Sequence, residues 1–550
     1  MHVDHDDYST PSLWTNQHEF VNKYIKKATA EAQIDEAVSE GYDMYFNFMW
    51  GQLEDPVVAG IDAVKHLESK GVPFVGMPSR ILERTKLDFY RDAAAAGLPV
   101  PGTTKLPLFV KPAKSCASRH ITEKSLCRTQ EEVDALVKEL NEILEPGRKV
   151  ADPNYDGSKD PLSYGDIVVQ EFIEGRDYSC IIIEMNDTPV ALNPATYNYP
   201  ASTTSKERFL SWDIKWHDEV KLIPLEKADD PALFVKLQKL AVEAWKANKM
   251  TGGAWGNVDF RVRYDDGEPV LMEVNPMPAL YLSDTTESIW EDNVITGYFP
   301  GAHRALTNIL ISTKLWQMND AQQSRVEKIK STYDWFSTGY DKVAEENFIK
   351  IISCIVEKFD FDGSILDVCS GTGLFGRLLV EAKKIKESEE CSDSSGSSSP
   401  LTPKRSVLFG VELSEAMTQA SSNSTMLYDY IHMGPMQAVL PKLDRQFDHI
   451  ISLSSLHFLD TSTLSLVLNR MFELAEKSVT ITIDDIPDVY NEHLVKSGYE
   501  HMYSFNHTKE VEEFGVPKGW KVVHQEYQYA WTSPTTGDGV YTTLWRFERV

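Results

Sequence analysis

The sequence predicts an α/β protein made of two separately folded halves. Short apolar strands alternate with amphipathic helices on both sides of a polar stretch near residue 320, which is the pattern of α/β folds. The predicted elements of the first half are Tyr45–Met49, Val57–Lys70, Phe74–Gly76 and Lys86–Ala96, in the order strand, helix, strand, helix. In the second half, a predicted helix over Ala344–Phe359 precedes the strand Ser364–Val368.

Composition and charge indicate a soluble, intracellular protein. With 550 residues, 42% hydrophobic, the chain is too long for one core. A formal net charge of −28 argues against nucleic acid or an anionic membrane as partner. The six cysteines lack metal-ligand spacing, and no apolar run reaches the ~18–20 residues of a membrane span. We therefore expect a cytoplasmic protein. Whether it forms a homodimer is left open by the sequence.

The predicted division of the chain depends on one helix and two polar segments. Ala302–Met318 is amphipathic and is predicted to close the first half, and the polar run Asn319–Arg325 begins a linker. The Ser-rich segment 384–405 cannot bury a core and is predicted to be a disordered insert. The predicted domains are 1–101, 102–318 and 331–550, with a linker over 319–330.

A possible metal site lies on a predicted hairpin over residues 259–275. Alternation along the second strand puts Glu273 and Asn275 on one face, and Asp259 on the first strand can join them. Two carboxylates and an amide are hard oxygen donors that suit Mg²⁺ held partly by nucleotide phosphates. An Asp-Gly hairpin with acidic residues is also common as a purely structural feature.

Other segments of the first half suggest phosphate binding. Lys111 ends the predicted strand Leu108–Lys111 and precedes a loop of small residues that reaches Ser118, where backbone N–H groups could approach an anion. Residues 167–179 are predicted as two strands with a turn at Gly175, and Trp212–Trp216 as a strand-like segment carrying Lys215.

These segments, in this order, resemble the ATP-grasp superfamily and specifically D-alanine–D-alanine ligases, over roughly residues 42–315. The motifs that carry the resemblance are Leu98-Pro99-Val100-Pro101, Phe109-Val110-Lys111-Pro112, Glu171-Phe172-Ile173-Glu174-Gly175-Arg176-Asp177, Val258-Asp259-Phe260 and Leu271-Met272-Glu273-Val274-Asn275-Pro276-Met277-Pro278. The resemblance implies an ATP-grasp fold over 102–318, preceded by a smaller α/β domain.

The resemblance also implies roles for individual residues. It places Lys86 and Lys111 on the ATP α- and β-phosphates, and Lys215 on the γ-phosphate or its covering loop, with Lys111 and Lys215 as catalytic residues. Ser118 would belong to the nucleotide site. The adenine and ribose contacts would come from Gln170, Glu171, Ile173 and Asp177, and the Mg²⁺ ligands would be Asp259, Glu273 and Asn275.

The implied reaction joins a carboxylate to an amine through an acyl-phosphate, with lysines and metal neutralising the transferring phosphoryl group. The chain departs from the family at three places. The first 30 residues lack the expected glycine-rich turn, Asn257 stands where an arginine is usual, and Ala279 follows the metal motif where a glycine is usual. A shell that binds nucleotide without turnover is the alternative.

The second half contains a glycine-rich turn between a strand and a helix. Asp367 lies near the strand end, and Gly371 and Gly373 let the backbone approach a ligand. The next predicted strand, Val407–Glu412, ends in a carboxylate suited to ribose hydroxyls, and a further strand begins at Phe447. These features resemble class I S-adenosylmethionine-dependent methyltransferases, with a Rossmann-like fold over roughly 326–550. The resemblance implies that Asp367, Gly371 and Gly373 contact the amino-acid moiety of S-adenosylmethionine, and Glu412 its ribose.

The ends of this half fit the same resemblance. Tyr333-Asp334 and Tyr340-Asp341 fit a lid helix, and Trp520–Trp531 with Val540–Val550 fit an antiparallel pair of final strands. Gly434-Pro435 departs from the family, whose members often carry an acidic residue near the adenine.

The acceptor side is open to several interpretations. Asp484-Asp485 could hold a cationic acceptor or form an exposed acidic turn, and His457 could be a general base or a structural histidine. The sequence thus predicts a fusion of an ATP-dependent ligase and a methyltransferase, with ATP, Mg²⁺ and S-adenosylmethionine as cofactors. A binding scaffold without turnover, or an active ligase with a silent methyltransferase-like domain, are the alternatives.

Overall fold

A computed structural model describes residues 9–53, 55, 57–114, 118–151, 166–199, 208–217, 220–282, 291–318, 320–343, 346–393, 406–420 and 427–550. The chain divides into two compact units, Met1–Phe299 and Pro300–Val550. Both units mix helices and sheets, so the predicted α/β class is confirmed. Within the ranges given above, no helix has both the length and the apolar character needed to cross a membrane.

The first unit contains eight helices and eleven strands among its described residues. The helices are α1 Ala30–Ser39, α2 Ile61–Ser69, α3 Ser79–Leu82, α4 Lys86–Ala95, α5 Gln130–Ala151, α6 Trp212–His217, α7 Pro231–Ala247 and α8 Asp292–Tyr298. The strands are β1 Tyr45–Phe46, β2 Phe74–Val75, β3 Leu108–Pro112, β4 Leu126–Cys127, β5 Ile167–Glu171, β6 Gly175–Met185, β7 Thr188–Ala191, β8 Ala195–Asn198, β9 Lys221–Pro224, β10 Trp255–Arg263 and β11 Pro269–Asn275.

Two sheets of the first unit carry the residues predicted to bind nucleotide. One is a six-stranded antiparallel sheet in the order β11-β10-β6-β8-β9, with β7 paired to β6. The other has the order β4-β3-β5 and holds Lys111 on its central strand. Strand β6 is buried along most of its length, and Cys180, Ile181 and Ile182 are almost fully inaccessible. The predicted strands on either side of Gly175 are therefore real, but they belong to different sheets.

Local capping fixes the helices that lie beside these sheets. Helix α4 begins with a capping box, in which the hydroxyl of Thr85 accepts from the Asp88 N–H and the Asp88 carboxylate accepts from the Thr85 N–H. Asp230 caps α7 and accepts from Leu233 N at 3.0 Å. Because α4 starts at Lys86, its cap also fixes the position of that lysine.

The second unit contains ten helices and seven strands among its described residues. The helices are α9 Ala302–Met318, α10 Asp320–Phe336, α11 Tyr340–Val343, α12 Glu346–Lys358, α13 Leu374–Asp393, α14 Glu415–Ala420, α15 Met436–Val439, α16 Thr461–Leu474, α17 Tyr490–Lys496 and α18 Thr508–Phe514. The strands are β12 Ser364–Val368, β13 Val407–Glu412, β14 Tyr430–Met433, β15 Phe447–Ser452, β16 Ala475–Asp485, β17 Trp520–Thr532 and β18 Gly539–Arg549.

The seven strands form one sheet in the order β14-β13-β12-β15-β16-β18-β17. The strands from β14 to β16 are parallel, and β18 runs antiparallel to both β16 and β17. The predicted antiparallel pair at the end of the chain is thus confirmed. The strand order reverses between β12 and β15, and the crevice at such a reversal is where open α/β sheets bind ligands.

The predicted boundary between the halves is wrong by one helix. Helix α9 lies in the second unit, where Asn308 Nδ2 donates to Ser465 Oγ at 2.9 Å and the hydroxyls of Ser312 and Thr463 lie 3.0 Å apart. The predicted linker is also wrong, because residues 320–330 lie in helix α10. A polar run is compatible with the solvent-facing side of a helix as well as with a linker.

Two shorter predictions also differ from the structure. Trp212–His217 is helical rather than strand-like, since five residues are too few for a pattern to separate the two. Helix α13 continues to Asp393, so the first ten residues of the predicted disordered insert are helical. The remainder of that insert, 394–405, lies outside the described residues.

Candidate functional site

The predicted carboxylate hairpin is present in the first unit. In the β10–β11 ladder, Asp259 lies opposite Glu273 and Asn257 lies opposite Asn275, with Gly267 at positive φ in the connecting turn. Asn275 Nδ2 donates to Asp259 Oδ2 at 2.7 Å. The prediction that Asp259, Glu273 and Asn275 share one face is therefore confirmed, whereas metal binding stays a prediction.

A bulge and a neighbouring strand hold this face in place. The register shifts after Asp259, so that Phe260 pairs with Leu271 and Met272 is the extra residue. The displaced carbonyl of Met272 accepts a hydrogen bond from the hydroxyl of Tyr90. On the other side, Ser179 of β6 donates to Asp259 Oδ1 at 2.7 Å. Sequence reasoning did not identify Tyr90 and Ser179, whose contacts join positions far apart in the chain.

Three lysines act on the hairpin carboxylates. Lys86 Nζ lies 2.8 Å from Glu273 Oε2, and the backbone N–H of Lys86 donates to Ala113 O at the start of the small-residue loop. Lys111 is buried, with its Nζ 5.8 Å from the centre of the Tyr90 ring. Lys215 on α6 lowers the pKa of both hairpin carboxylates by its charge. The three predicted phosphate-binding lysines therefore surround the predicted metal site.

Burial and charge set the protonation states of this cluster. Burial, followed by the charge of Glu273, raises the pKa of Asp259 to about 7. Burial also raises the pKa of Glu273, but Lys86 and Lys111 outweigh it and the net pKa is lowered. Burial lowers the pKa of Lys111 against the pull of the same carboxylates. The site thus holds lysines and carboxylates close together. A phosphate could replace a carboxylate as partner of a lysine, and a metal ion could replace a lysine as partner of a carboxylate.

The predicted adenine and ribose residues occupy different environments. Gln170 is 3% exposed, and apart from a side-chain interaction with the Tyr90 hydroxyl its amide has no hydrogen-bond partner within the described residues. A buried amide with so few partners is a candidate for ligand contact. Ile173 is buried beside it in the sequence. The Glu171 carboxylate accepts from Lys105 N at 3.2 Å, so this side chain points to the loop after Pro101.

Asp177, predicted to hold the ribose, is already engaged by two side chains. The hydroxyl of Tyr199 donates to its Oδ2, and Arg261 Nε lies 3.7 Å from its Oδ1. Arg261 is buried and also donates to Gly175 O at 2.7 Å. A ribose contact by Asp177 stays a prediction, and it requires these partners to shift or share the carboxylate.

Ser118 lies at the end of the small-residue loop, in the left-handed region with φ of 60°. Its hydroxyl donates to Leu210 O at 2.9 Å, which joins the loop to the segment preceding α6. Residues 115–117 of the predicted phosphate loop lie outside the described residues. Ser118 therefore joins two segments whose lysines are predicted to bind phosphate.

The second unit contains a cavity at the carboxyl ends of its parallel strands. Gly371 and Glu412 line it, as do Tyr333 and Tyr340 from the predicted lid region. The Glu412 carboxylate accepts from Gly371 N at 2.8 Å and from Ser414 N at 2.8 Å. Burial raises the pKa of Glu412, and these N–H groups oppose the increase. Gly371 and Glu412 are thus brought together at one cavity, as predicted.

Asp367 and Gly373, predicted as contacts of the methyl donor, are not among the described residues that line this cavity. Asp367 is 4% exposed and accepts a hydrogen bond of 2.5 Å from Tyr428. Burial raises its pKa to about 7. Contact of Asp367 or Gly373 with a methyl donor therefore stays a prediction.

Cys369 and Gly434-Pro435 line the same cavity and had no assigned role. Cys369 adopts positive φ of 66°, a conformation that a side chain rarely takes. Gly434 also has positive φ, and its N–H donates to Glu412 O at 2.8 Å. The departure at Gly434-Pro435 thus places backbone, not a carboxylate, beside Glu412.

The predicted lid pairs contact the loops around the cavity. Ser414 Oγ donates to Asp334 Oδ1, and Thr372 Oγ1 and Arg377 donate to Asp341. The aspartates therefore tie α10 and the following turn to the glycine-rich loop, while Tyr333 and Tyr340 face the cavity.

The predicted acceptor residues form a buried pair instead of an open patch. His457 Nδ1 lies 2.8 Å from Asp484 Oδ2, and both side chains are buried. Asp485 accepts from Asn506 Nδ2 and from Tyr527 at 2.8 Å. Neither His457 nor Asp484 is among the described residues lining the cavity. The expectation of an exposed acidic turn is therefore wrong for Asp484.

Comparisons with known proteins show which sequences the first unit is similar to. Residues 162–293 match the family described as D-ala D-ala ligase C-terminus. D-alanine–D-alanine ligase of Rhodococcus erythropolis is 26% identical over 306 residues, covering 51% of this chain and 71% of that protein. The corresponding ligase of Rhodococcus jostii is 28% identical over 270 residues, covering 45% and 64%. The first unit is therefore similar in sequence to D-alanine–D-alanine ligases.

Solved structures resemble each unit at low scores. D-alanine–D-alanine ligase from Bacillus anthracis complexed with ATP aligns at 16% identity and a TM-score of 0.33, covering 53% of this chain and 84% of that chain. Magnesium protoporphyrin IX methyltransferase from Synechocystis aligns at 12% identity and a TM-score of 0.30, covering 41% and 100%. At these scores, the fold of the second unit is defined by its own strand order.

Proposed function

We propose that the chain is a bifunctional enzyme. Its first unit would be an ATP-dependent carboxylate–amine ligase for amino acids or similar small substrates, and its second an S-adenosylmethionine-dependent methyltransferase. The observation that carries the ligase proposal is the face of the β10–β11 hairpin, where two carboxylates and an amide meet Lys86 and the charge of Lys215.

In the ligase reaction, ATP phosphorylates the substrate carboxylate, and an amine displaces phosphate from the acyl-phosphate to form an amide. Lys86, Lys111 and Lys215 would offset the negative charge of the phosphates, which is the main demand of phosphoryl transfer. Leaving its contact with Glu273, the Lys86 ammonium could take a phosphate as partner instead. No protein nucleophile is required.

The donor set of the hairpin fits Mg²⁺. Asp259, Glu273 and Asn275 would hold the ion, which would supply charge neutralisation at the phosphates. The elevated pKa of Asp259, caused by burial and by the neighbouring Glu273, supports this assignment, because a bound dication would remove that repulsion.

In the second unit, Glu412 would accept hydrogen bonds from the ribose hydroxyls of the methyl donor, beside the Gly371 backbone. Tyr333 and Tyr340 would close the donor site from the opposite side of the cavity. Methyl transfer needs mainly alignment of donor and acceptor, which an enclosing cavity provides. The acceptor would be the ligase product or one of its precursors.

The test is ADP release with Mg²⁺–ATP across a panel of amino acids, singly and in pairs, followed by mass spectrometry with and without S-adenosylmethionine. We expect ADP release with a particular pair, and a condensed product that gains a methyl group. ADP release without any condensed product would contradict the carboxylate–amine chemistry.

A second candidate is an active ligase with a silent methyltransferase-like unit. It is favoured by one observation, that Asp367 bonds to Tyr428 and does not line the cavity. Unchanged product mass with S-adenosylmethionine, together with measurable donor binding, would support this candidate.

A further inference from the structure

A buried polar pair lies next to the metal hairpin and has no role in the proposed phosphate chemistry. Asn257 Nδ2 donates to Glu291 Oε1 at 2.7 Å, and the two residues are 2% and 7% exposed. Glu291 immediately precedes α8, and Asn257 lies on β10. The pair therefore joins the beginning of α8 to the face of β10 that carries Asp259.

Each member of this pair keeps one polar atom unused. Within the described residues, Glu291 Oε2 and Asn257 Oδ1 have no hydrogen-bond partner. A buried acceptor left unsatisfied is destabilising, and more so when it is charged. These two oxygens are left over, although the Glu291 carboxylate also accepts from the backbone N–H groups of Glu291 and Ala279 and is acted on by the charge of Lys215. Their complement is a group that brings several N–H donors and a positive charge.

The position of the pair relates it to the ligase face. Asn257 and Asp259 are two residues apart on β10, so their side chains lie on the same face, about 7 Å apart along the strand. Glu291 raises the pKa of Asp259 by its charge, and Lys215 acts on both carboxylates. The distance between this pair and Asp259 is thus comparable to the length of a small substrate.

Glu291 is not a third ligand of the proposed metal site. In the part of the chain that the structure covers, no three His, Cys, Asp or Glu side chains group closely enough to hold a metal ion. An ammonium group therefore fits Glu291 Oε2 and Asn257 Oδ1 better than a metal ion does.

We infer that Glu291, positioned by Asn257, binds the amine substrate as its ammonium and takes one proton from it, and that the neutral amine then displaces phosphate from the acyl-phosphate. The Glu291 carboxylate supplies the charge and the Asn257 amide oxygen a second acceptor. This assignment rests on the proposed ligase function. It identifies the second substrate as a cationic amine, with its nitrogen held next to the face that activates the carboxylate.

The test compares a cationic with a neutral nucleophile. Methylamine is protonated near neutral pH and hydroxylamine is not, and both can displace phosphate from an acyl-phosphate. Wild-type protein and Glu291→Gln are assayed for ADP release with Mg²⁺–ATP, the proteinogenic amino acids and D-alanine as carboxylates, and either nucleophile. Glu268→Gln is the matched control, because Glu268 lies by the turn of the same hairpin and pairs only with the exposed Lys236 among the described residues.

We expect Glu291→Gln to raise the KM for methylamine about 10- to 100-fold, the loss of one charge-assisted contact, while hydroxylamine-dependent ADP release and the KM for ATP stay the same. Asn257→Ala should raise the methylamine KM by a smaller factor. An unchanged methylamine KM, or equal losses with both nucleophiles, would overturn the inference. Absence of ADP release by the wild-type protein with either nucleophile would overturn the ligase assignment and this inference with it.

Discussion

The two units satisfy their buried carboxylates in different ways. In the first unit, Glu273 is paired with Lys86 from a different element and is influenced by the charges of Lys111 and Lys215. In the second unit, Glu412 is held by two backbone N–H groups, that of Ser414 just after its own strand and that of Gly371 in the turn after β12. The first site therefore brings together opposite charges from several elements, and the second holds its carboxylate with backbone N–H groups.

This difference matches the ligands that each site would take. A highly charged nucleotide needs cations that can leave one carboxylate and move to a phosphate. A ribose needs an acceptor held in one orientation, which a carboxylate fixed by backbone N–H groups provides. The contrast predicts that substitutions in one unit leave the chemistry of the other unit intact.

Replacing Glu273 by Gln should give the largest effect and should separate the two units. We expect ADP formation to fall by at least about 10²-fold, because a charge needed for the metal and phosphate site is lost. Methyl-donor binding, measured by calorimetry with S-adenosylhomocysteine, should be unchanged. Glu268→Gln on the same hairpin serves as control, and ADP formation that survives in Glu273→Gln would contradict the metal assignment.

Replacing Glu412 by Gln should give the converse result. The carboxylate offers two acceptor oxygens to the ribose hydroxyls, so we expect donor affinity to fall about 10-fold or more while ADP formation persists. Asp367→Asn should leave donor affinity nearly unchanged, since Asp367 bonds to Tyr428. A larger loss of affinity in Asp367→Asn than in Glu412→Gln would reverse the two assignments.

The pKa of Asp367 makes the stability of the second unit depend on pH. Its pKa is raised from 3.8 to about 7 by burial, so the folded protein holds a proton that the unfolded chain has released between these values. This contribution to stability is fully present below the unfolded pKa and is lost as pH rises towards 7. Urea unfolding of Asp367→Asn should show a weaker decrease over this range than the wild type, and parallel pH profiles would contradict the assignment.

The smallest expected effect concerns the cap that positions Lys86. Thr85→Ala removes the hydroxyl half of the capping box of α4 and should lower stability by about 1 kcal/mol. Thr85→Ser keeps the hydroxyl and should retain the cap. Because Lys86 is the first residue of α4, the KM for ATP should rise slightly in Thr85→Ala. Equal KM values for ATP in Thr85→Ala and Thr85→Ser would show that the cap does not position the lysine.

Sequence patterns predicted those features whose residues lie close together in the chain. The hairpin of Asp259 and Glu273 followed from strand alternation and an Asp-Gly turn, and the structure has both. The partners of these residues could not be predicted this way. Ser179 contacts Asp259 across 80 positions, and Asn257 contacts Glu291 across 34, so only the folded sheet brings them together.

Helix α9 shows a second limit of sequence patterns. Its amphipathic pattern predicted a helix, and the structure has a helix with the same ends. The pattern cannot say which core the apolar side contacts, and the packing against α16 places α9 in the second unit. For the same reason, the position of Asp367 near a strand end does not reveal its hydrogen bond with Tyr428, which is 61 positions away.

The most direct test of the bifunctional assignment is the mass of the product made from Mg²⁺–ATP, paired amino acids and S-adenosylmethionine with a deuterated methyl group. The account predicts a condensed product that carries the deuterated methyl with wild-type protein. It predicts the unmethylated condensed product with Glu412→Gln and no condensed product with Glu273→Gln. A protein that binds Mg²⁺–ATP and S-adenosylhomocysteine but yields no condensed product would contradict it.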